Sequence, residues 1–322
     1  MDLFDIKKED DFERLAIDTF RFQADNNPVY HHYLELLSFD VGSVKKVTDI
    51  PFLPIEFFKN HKVYSTEREE ELLFISSGTT GIKSGKHYVA DIDLYIKSFT
   101  EGFRHFFGDP REYCFLALLP SYLERGNSSL VFMMDRLIKM SKYPESGFYL
   151  NELNKLNKTL RRLDSGGIPL MLFGVSYALL DLADKYPLKL ENTLIVETGG
   201  MKGRREELSR DILHERLSEA FGIRGINSEY GMTELLSQAW SRGGGIFQPT
   251  PWMRVYIRDP YDPFTYLKKG RTGGINIIDL ANRYSCSFVE TQDLGRLHSG
   301  NSFEVLGRFD NSDIRGCNLL VQ

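Results

Sequence analysis

Residues 71–81, with the sequence ELLFISSGTTG, join a short strand-like run to a loop of serine, threonine and glycine. Gly78 and Gly81 permit tight turns and a close approach of the backbone, and the hydroxyls and amides of the loop can bind phosphate oxygens. The loop is not a Walker A motif, because three residues rather than four separate Gly81 from Gly85, and Lys86 is followed by His87 instead of Ser or Thr. Taken by itself, the stretch favours a plain surface turn. Phosphate binding is therefore a hypothesis that needs support from the rest of the chain.

The chain on either side of this loop alternates between strand-like and helical segments. Residues 9–38 and 91–107 have a helical pattern, and Asp91 or Asp93 is the expected N-cap of the second helix. This alternation predicts the α/β class, with a largely parallel sheet covered by helices on both faces. The runs predicted as buried strands, each followed by a helical stretch, are residues 113–119, 169–173 and 193–196.

The secondary-structure pattern of the sequence changes near Gly245. Short β-like runs alternate from there with turns, which predicts a smaller antiparallel subdomain at the C-terminal end. We therefore expect a helical N-terminal region of the main domain, an α/β core, a β-rich subdomain and a C-terminal tail. The expected boundaries of these four segments are 1–70, 71–245, 246–310 and 311–322.

Composition limits the partners and the compartment of the protein. The 322 residues carry a net charge of −5 with a pI near 5.9, so no broad basic field points to nucleic acid. The first residues are acidic and lack an apolar signal core, and no apolar run approaches the roughly 20 residues that span a bilayer. Cys114, Cys286 and Cys317 form no metal-ligand spacing and suggest a reducing compartment. We expect a cytoplasmic protein without a membrane span.

Three further segments are ordinary loops when taken singly. The strand-like run at residues 222–227 is followed by the turn EYGMTE at residues 229–234. Glu234 in this turn has the chemistry of a magnesium ligand, since Mg²⁺ favours one or two carboxylates together with phosphate oxygens. Residues 291–297 (TQDLGRL) place Asp293 in a predicted turn, where its carboxylate can accept hydrogen bonds from ribose hydroxyls. Residues 306–316 (LGRFDNSDIRG) are the third segment.

Together with the first loop and in this order, these segments resemble the adenylate-forming superfamily of acyl-CoA synthetases, peptide-synthetase adenylation domains and luciferases. SSGTTG is similar to its phosphate loop, YGMTE to its adenine and magnesium motif, TQDLGRL to its ribose-binding segment and GRFDNSDIRG to its hinge. Order and spacing agree from residue 74 to the C-terminus, about three quarters of the chain. The resemblance implies the fold of the large adenylate-forming domain, with ATP and Mg²⁺ as cofactors and a small-molecule carboxylic acid as substrate.

The resemblance also implies roles for residues at matching positions. Glu234 binds Mg²⁺ and Thr233 meets the α-phosphate in this scheme, while Asp293 and Arg308 bind the ribose. We expect the turn at residues 173–176 to form a wall of the acyl pocket. The residues expected to hold the phosphates are Ser77, Gly78, Thr79, Thr80 and Gly81, and those expected to flank the adenine are Gly199, Gly200 and Tyr230.

Within the superfamily, the chain resembles the acyl-protein synthetase branch, the fatty-acid-activating component of bacterial luminescence reductase. Residues 50–59 (IPFLPIEFFK) and 311–320 carry this resemblance. It implies that the acyl group moves to a cysteine near the C-terminus, here Cys317, whose thiolate attacks the adenylate to form a thioester. The alternative for Cys317 is a small, buried and inert thiol. Cys114 is expected to be structural, and Cys286 either structural or a weaker acceptor candidate.

Two departures from the superfamily pattern affect the predicted site. Residues 82–86 (IKSGK) replace the usual Pro-Lys continuation of the phosphate loop, so either Lys83 or Lys86 could reach a phosphate. The chain ends twelve residues after Asp310, so the resemblance implies that the mobile C-terminal domain, which carries a lysine for the adenylation step, is absent. A basic residue of the main body, a partner protein or weaker catalysis then has to stand in for that lysine.

The sequence therefore predicts ATP-dependent activation of a carboxylic acid, expected to be a fatty acid, to an acyl-adenylate. The acyl group then passes to Cys317, to an acyl-carrier or reductase protein, or to CoA. Two other hypotheses stay open: an aryl-CoA ligase of the phenylacetate type, and a nucleotide-binding scaffold without adenylation activity.

Overall fold

The computed structural model describes residues 2–76, 83–120, 127–150, 152–199, 205–206 and 208–309. The helices are α1 Glu9–Asn26, α2 Pro28–Leu36, α3 Phe57–Asn60, α4 Ile92–Phe107, α5 Ser129–Met140, α6 Leu153–Ser165, α7 Ser176–Lys185 and α8 Arg210–Phe221. The strands of the N-terminal half are β1 Leu53–Pro54, β2 Leu72–Ile75, β3 Lys86–Val89, β4 Cys114–Leu118, β5 Gly147–Phe148, β6 Leu170–Val175 and β7 Thr193–Thr198. The remaining strands are β8 Asn227–Tyr230, β9 Ala239–Ser241, β10 Ile246–Pro249, β11 Met253–Arg258, β12 Thr272–Asp279, β13 Phe288–Leu297 and β14 Phe303–Arg308.

Twelve of these strands form one continuous sheet in the described part of the chain, in the order β11-β12-β13-β14-β10-β9-β8-β7-β6-β4-β5, with β1 added beside β13. Strands β5, β4, β6, β7 and β8 pair in parallel, and the pairs from β8 through β9 to β11 are antiparallel. Every residue of β4 and β6 is buried, because helices cover this part of the sheet. The predicted α/β class is confirmed. The antiparallel strands extend the parallel sheet, and the division into four segments stays a prediction.

Side-chain caps set the boundaries of the helices near the site. The single helical region predicted over residues 9–38 is two helices, because the buried Asn27 ends α1 and caps α2 by accepting hydrogen bonds from the amides of Val29 and Tyr30 at 3.1 Å each. Pro28 then occupies the first turn of α2, where its missing amide proton costs nothing. Asp91 caps α4 through the amide of Leu94 at 2.9 Å, as one of the two alternatives predicted.

Three local predictions were wrong. Residues 222–227, predicted as a strand, begin with Gly222 in the left-handed region at φ 64°, where it ends α8, and β8 starts only at Asn227. Residues 291–297 are not a turn but the second half of β13, in which the buried positions Thr291, Asp293 and Gly295 alternate with partly exposed ones. Residues 173–176 are the end of β6 and the start of α7, with no turn between them.

Among the described residues, no helix combines the length and the apolar character that crossing a membrane requires.

Candidate nucleotide site

The hairpin of β2 and β3 holds the two ends of the glycine-rich loop together. The pairing of Ile75 with Lys86 is followed by two hydrogen bonds between Ser76 and Gly85: the Ser76 amide donates to the Gly85 carbonyl at 2.9 Å, and the Gly85 amide donates to the Ser76 hydroxyl at 2.7 Å. The loop itself, residues 77–82, lies outside the described residues. The base of the loop, formed by Ser76 and Gly85, therefore shows where the loop joins the rest of the site.

Glu234, the last residue of the YGMTE motif, contacts this base. A Cβ atom at position 85 would lie 2.1 Å from Oε1 of Glu234 and 3.2 Å from Oγ of Ser76, so only glycine leaves room for the carboxylate. The side chain of Glu234 is buried, and burial raises its pKa to about 7, although the charges of Arg308 and Lys59 oppose that rise. The glycine-rich loop and the YGMTE motif, about 150 residues apart in sequence, are thus in contact through the Glu234 carboxylate.

A buried carboxylate with this environment fits a magnesium ion. Within the described residues, Glu234 has no ion pair, and no group of three His, Cys, Asp or Glu side chains that could hold a metal occurs. Mg²⁺ ordinarily takes one or two carboxylates and completes its six ligands with phosphate oxygens and water. Glu234 at the base of the glycine-rich loop is the side chain that would hold such an ion.

Two buried side chains position the backbone of Thr233 and Glu234. The ring of His87, on β3, donates from Nδ1 to the Thr233 carbonyl at 2.7 Å, and burial lowers the pKa of this imidazole to about 4, so the ring is neutral. The amide of Asn282 donates to the Glu234 carbonyl at 2.7 Å and to the Cys286 carbonyl at 2.9 Å. Sequence reasoning did not predict these positioning roles of His87 and Asn282.

Asp279, at the end of β12, fixes the chain that follows the motif. Its buried carboxylate accepts hydrogen bonds from the amides of Leu236 at 2.8 Å, Ser237 at 2.9 Å and Ala281 at 3.1 Å. Burial raises the pKa of Asp279, while these donors lower it. The sequence holds no local signal for the contacts of Asp279 with Leu236 and Ser237, because these two partners lie more than 40 residues away in sequence.

Three residues predicted at the nucleoside end meet in one cluster. Tyr230, at the end of β8, donates from its hydroxyl to Oδ2 of Asp293 at 2.7 Å, and Arg308 donates from Nε to Oδ1 of the same carboxylate at 3.1 Å. Asp293 and Arg308 are direct cross-strand partners on β13 and β14. The Arg308 side chain is 79% exposed, whereas Asp293 is 10% exposed, so the cluster opens toward solvent on the arginine side.

Gly199 directly follows β7 and Tyr230 ends β8, its parallel neighbour, which places both at the carboxyl edge of the sheet. The carbonyl of Gly199 lies 3.0 Å from the Ser176 hydroxyl, and Gly199 has φ 67°, a conformation that favours glycine. Beside it, the Thr198 hydroxyl donates to Oε2 of Glu229 at 2.6 Å, and burial raises the pKa of Glu229 to about 7. Ligands of open α/β sheets bind at such an edge.

The described cysteines are poor nucleophiles. Cys114 and Cys286 are free and buried, and burial raises the pKa of the Cys286 thiol to about 12. This environment disfavours Cys286 as an acyl acceptor and supports the structural role expected for both residues. The predicted site residues that lie outside the described residues are Ser77, Gly78, Thr79, Thr80, Gly81, Gly200 and Cys317.

The fold is similar to that of solved adenylate-forming ligases. A 2-hydroxyisobutyryl-CoA ligase in complex with 2-HIB-AMP and CoA superposes with a TM-score of 0.70 at 13% identity, over 96% of this chain and 70% of that chain. ATP-bound MatB from Rhodopseudomonas palustris superposes with a TM-score of 0.57 at 19% identity, over 76% of this chain and 50% of that chain. At these identities the likeness establishes the fold alone.

A curated relative is similar in sequence over a shorter stretch. The long-chain-fatty-acid–luciferin-component ligase of Photorhabdus luminescens is 36% identical over 73 residues, which is 22% of this chain and 62% of the relative. The chain thus spans less than two thirds of the relative that it matches. The family model described as "Acyl-protein synthetase, LuxE" matches residues 1–322 and confirms the resemblance predicted from the sequence. The chain therefore belongs to the LuxE family of acyl-protein synthetases.

Proposed function

We propose that the protein uses ATP to activate a carboxylic acid, and specifically a fatty acid, as an acyl-adenylate, and then transfers the acyl group to a thiol. The contact of Glu234 with the base of the glycine-rich loop carries this proposal, because a buried carboxylate suited to a cation lies beside a loop whose composition suits phosphate. Membership of the acyl-protein synthetase family and the fatty-acid name of the curated relative support the choice of acid.

The nucleotide lies along the carboxyl edge of the sheet in this proposal. The loop at residues 77–81 binds the phosphates, Thr233 meets the α-phosphate, and Asp293 with Arg308 binds the ribose. Tyr230 stays protonated, since burial raises its pKa well above the usual value, and it holds the Asp293 carboxylate in place through its hydroxyl. The residues that flank the adenine are Gly199, Gly200 and Tyr230.

The first step forms a bond between a carboxylate oxygen of the acid and the α-phosphorus of ATP. The bond from that phosphorus to the bridging oxygen breaks, and pyrophosphate leaves with the electron pair. Glu234 is the side chain that would hold a Mg²⁺ ion, and the bound ion would supply positive charge that stabilises the phosphate oxygens. The neutral His87 and Asn282 keep the Thr233–Glu234 backbone still, so that both side chains meet the nucleotide without reorganisation.

The second step transfers the acyl group to sulfur. A thiol loses its proton, the thiolate attacks the acyl carbon, and AMP leaves as the carbon–oxygen bond breaks, which yields a thioester. We propose Cys317 as the acceptor, with a carrier protein, a reductase or CoA as later or alternative acceptors. Burial of Cys286 and the raised pKa of its thiol support this assignment, because both make Cys286 a weaker nucleophile.

Acid-dependent exchange of labelled pyrophosphate into ATP tests the first step. A panel of saturated fatty acids of increasing length, phenylacetate and 2-hydroxyisobutyrate identifies the acid, and we expect the fatty acids to give the fastest exchange. Exchange with phenylacetate alone would favour the aryl-CoA ligase. No acid-dependent exchange with any member of the panel would leave the nucleotide-binding scaffold as the function.

Intact-mass measurement tests the second step. After incubation with ATP, Mg²⁺ and the preferred acid, we expect the mass of one acyl group on the wild type and none on Cys317→Ala, while Cys114→Ala serves as the matched control. An acyl adduct on Cys317→Ala contradicts the acceptor assignment. Release of acyl-CoA by both proteins, with no adduct on either, would identify CoA as the acceptor.

A further inference from the structure

Strand β13 carries a bulge beside the cluster in which Asp293 lies. Between two successive pairs of the β12–β13 ladder, β12 has the single residue Ile275, whereas β13 has residues 291–293. These pairs are Gly274 with Leu294 and Asn276 with Glu290. A bulge interrupts the backbone hydrogen bonds of the ladder and re-aims the side chains that it carries. Its last residue here is Asp293, whose carboxylate is the predicted ribose ligand.

The bulge determines where Asp293 lies along the sheet. A strand advances about 3.4 Å per residue, so without the two extra residues Asp293 would be displaced by about 7 Å relative to β12. Its carboxylate lies 2.7 Å from the Tyr230 hydroxyl, and a displacement of that size would break this hydrogen bond. The position of Asp293 therefore depends on the contacts that hold the bulge.

The backbone groups of the bulge have partners outside the ladder. The Thr291 carbonyl accepts a hydrogen bond from Nη2 of Arg258 at 2.8 Å, and the Asp293 amide donates to the Thr291 hydroxyl at 3.1 Å. That hydroxyl and Nη1 of Arg258 both donate to the Ile275 carbonyl, at 2.8 and 3.0 Å. Because a buried backbone group without a partner is costly, these contacts stabilise the bulge.

Arg258 reaches the bulge from β11, which is separated from β13 by β12. Its guanidinium passes over Gly274 of β12, where an added Cβ would lie 2.4 Å from Cζ of Arg258. The arginine side chain is 8% exposed, Oε1 of Glu290 lies 3.4 Å from Nη2, and the ring of Phe309 lies 5.3 Å from Cζ. The Phe309 amide in turn donates to the Gln292 carbonyl at 2.8 Å. The planar guanidinium is thus fixed in one orientation against the bulge.

We propose that Arg258 is a positioning residue of the nucleotide site, whose guanidinium fixes the bulge and thereby holds Asp293 where it binds the ribose hydroxyls. The inference rests on the proposed function and deepens it, since ribose binding then depends on an arginine outside the sequence motifs. Arg258 acts through Asp293 and not on the nucleotide directly. Loss of its contacts therefore weakens the binding of a nucleotide with 2′- and 3′-hydroxyls and spares a nucleotide without them.

Pyrophosphate exchange with ATP and with 2′,3′-dideoxy-ATP tests this role. Lysine at position 258 keeps the buried charge but lacks the planar fork that reaches two carbonyls. We expect Arg258→Lys to raise the KM for ATP about fivefold and that for 2′,3′-dideoxy-ATP less than about twofold. Arg254→Lys is the matched control, because Arg254 is a mostly buried arginine of the same strand that contacts Glu9 instead of the bulge, and we expect wild-type KM values for it.

Two outcomes of this assay overturn the inference and leave the proposed function intact. One is an unchanged KM for ATP in Arg258→Lys, and the other is an equal rise for both nucleotides, which a purely structural role of the arginine predicts. A wild type that shows no acid-dependent exchange overturns the proposed function together with the inference.

A second variant and a double variant make the test independent of the stability of Arg258→Lys. Gly274→Ala displaces the guanidinium without removing it, and we expect the same preferential rise in the KM for ATP. In the Asp293→Ala background, Arg258→Lys is expected to cause no further rise, because it acts through the carboxylate that is already lost. A further rise equal to that in the wild-type background, or a Gly274→Ala variant with unchanged KM values, contradicts the proposal.

Discussion

Replacement of Gly85 by alanine tests the contact between the glycine-rich loop and Glu234. The added Cβ would lie 2.1 Å from Oε1 of Glu234, whereas ordinary contacts begin at 3.4 Å, so the carboxylate has to move by about 1.3 Å. A displacement of this size at a reacting centre costs on the order of 100-fold in rate. We therefore expect Gly85→Ala to lower the kcat of pyrophosphate exchange by about 100-fold.

The same substitution is expected to leave the fold intact. The atom that has to move is the far end of a flexible side chain, and Gly85 is not among the glycines with positive φ, so alanine fits the backbone. Gly225→Ala is the matched control, since a Cβ at position 225 has no atom within 4 Å and position 225 also lacks a positive φ. The assay is acid-dependent pyrophosphate exchange together with the melting temperature of both variants. If Gly85→Ala exchanges as fast as Gly225→Ala, the placement of Glu234 at the phosphates is wrong.

Two other substitutions test the electrostatics and the nucleoside end of the site. Burial raises the pKa of Glu229 in the folded state to about 7 from 4.5, so between these pH values the folded protein holds a proton that the unfolded chain has lost. The free energy of unfolding of the wild type therefore falls by about 3 kcal/mol as pH rises through this window. Glu229→Gln is expected to abolish this fall, because glutamine does not titrate. Urea unfolding of wild type and variant at pH 5 and pH 7.5 measures this change in the free energy of unfolding. The same pH dependence in both proteins would contradict the raised pKa of Glu229. For the ribose, Asp293→Ala is expected to raise the KM for ATP at least tenfold but to leave that for 2′,3′-dideoxy-ATP almost unchanged, because the lost hydrogen bonds are to the hydroxyls. An equal rise for both nucleotides would mean that Asp293 acts on the fold instead.

The family was predictable because the order of the motifs along the chain carries the information, while the roles of the motif residues stay a proposal. Tyr230, Asp293 and Arg308 come from three segments, and the structure brings them into one hydrogen-bonded cluster. The strands β4 and β6 were predictable as well, since a strand that is buried on both faces is a continuous apolar run.

The supporting residues were not predictable from the sequence. Asn282 reaches the Glu234 carbonyl from 48 residues away and His87 reaches the Thr233 carbonyl from 146 residues away, and no local spacing signals such contacts. Residues 291–297 were mistaken for a turn because polar residues and a glycine dominate them. In the sheet they pair with strands on both sides, and the backbone hydrogen bonds of that pairing decide their conformation.

The most direct test of acyl-adenylate formation uses a fatty acid labelled with ¹⁸O in both carboxylate oxygens. The protein is incubated with this acid, ATP and Mg²⁺ until the acyl group has been transferred. The masses of the AMP and pyrophosphate products are then measured by mass spectrometry. Attack of the carboxylate on the α-phosphorus predicts AMP that carries one ¹⁸O atom and pyrophosphate that carries none. AMP without label, or ADP with labelled phosphate, would contradict the proposed reaction.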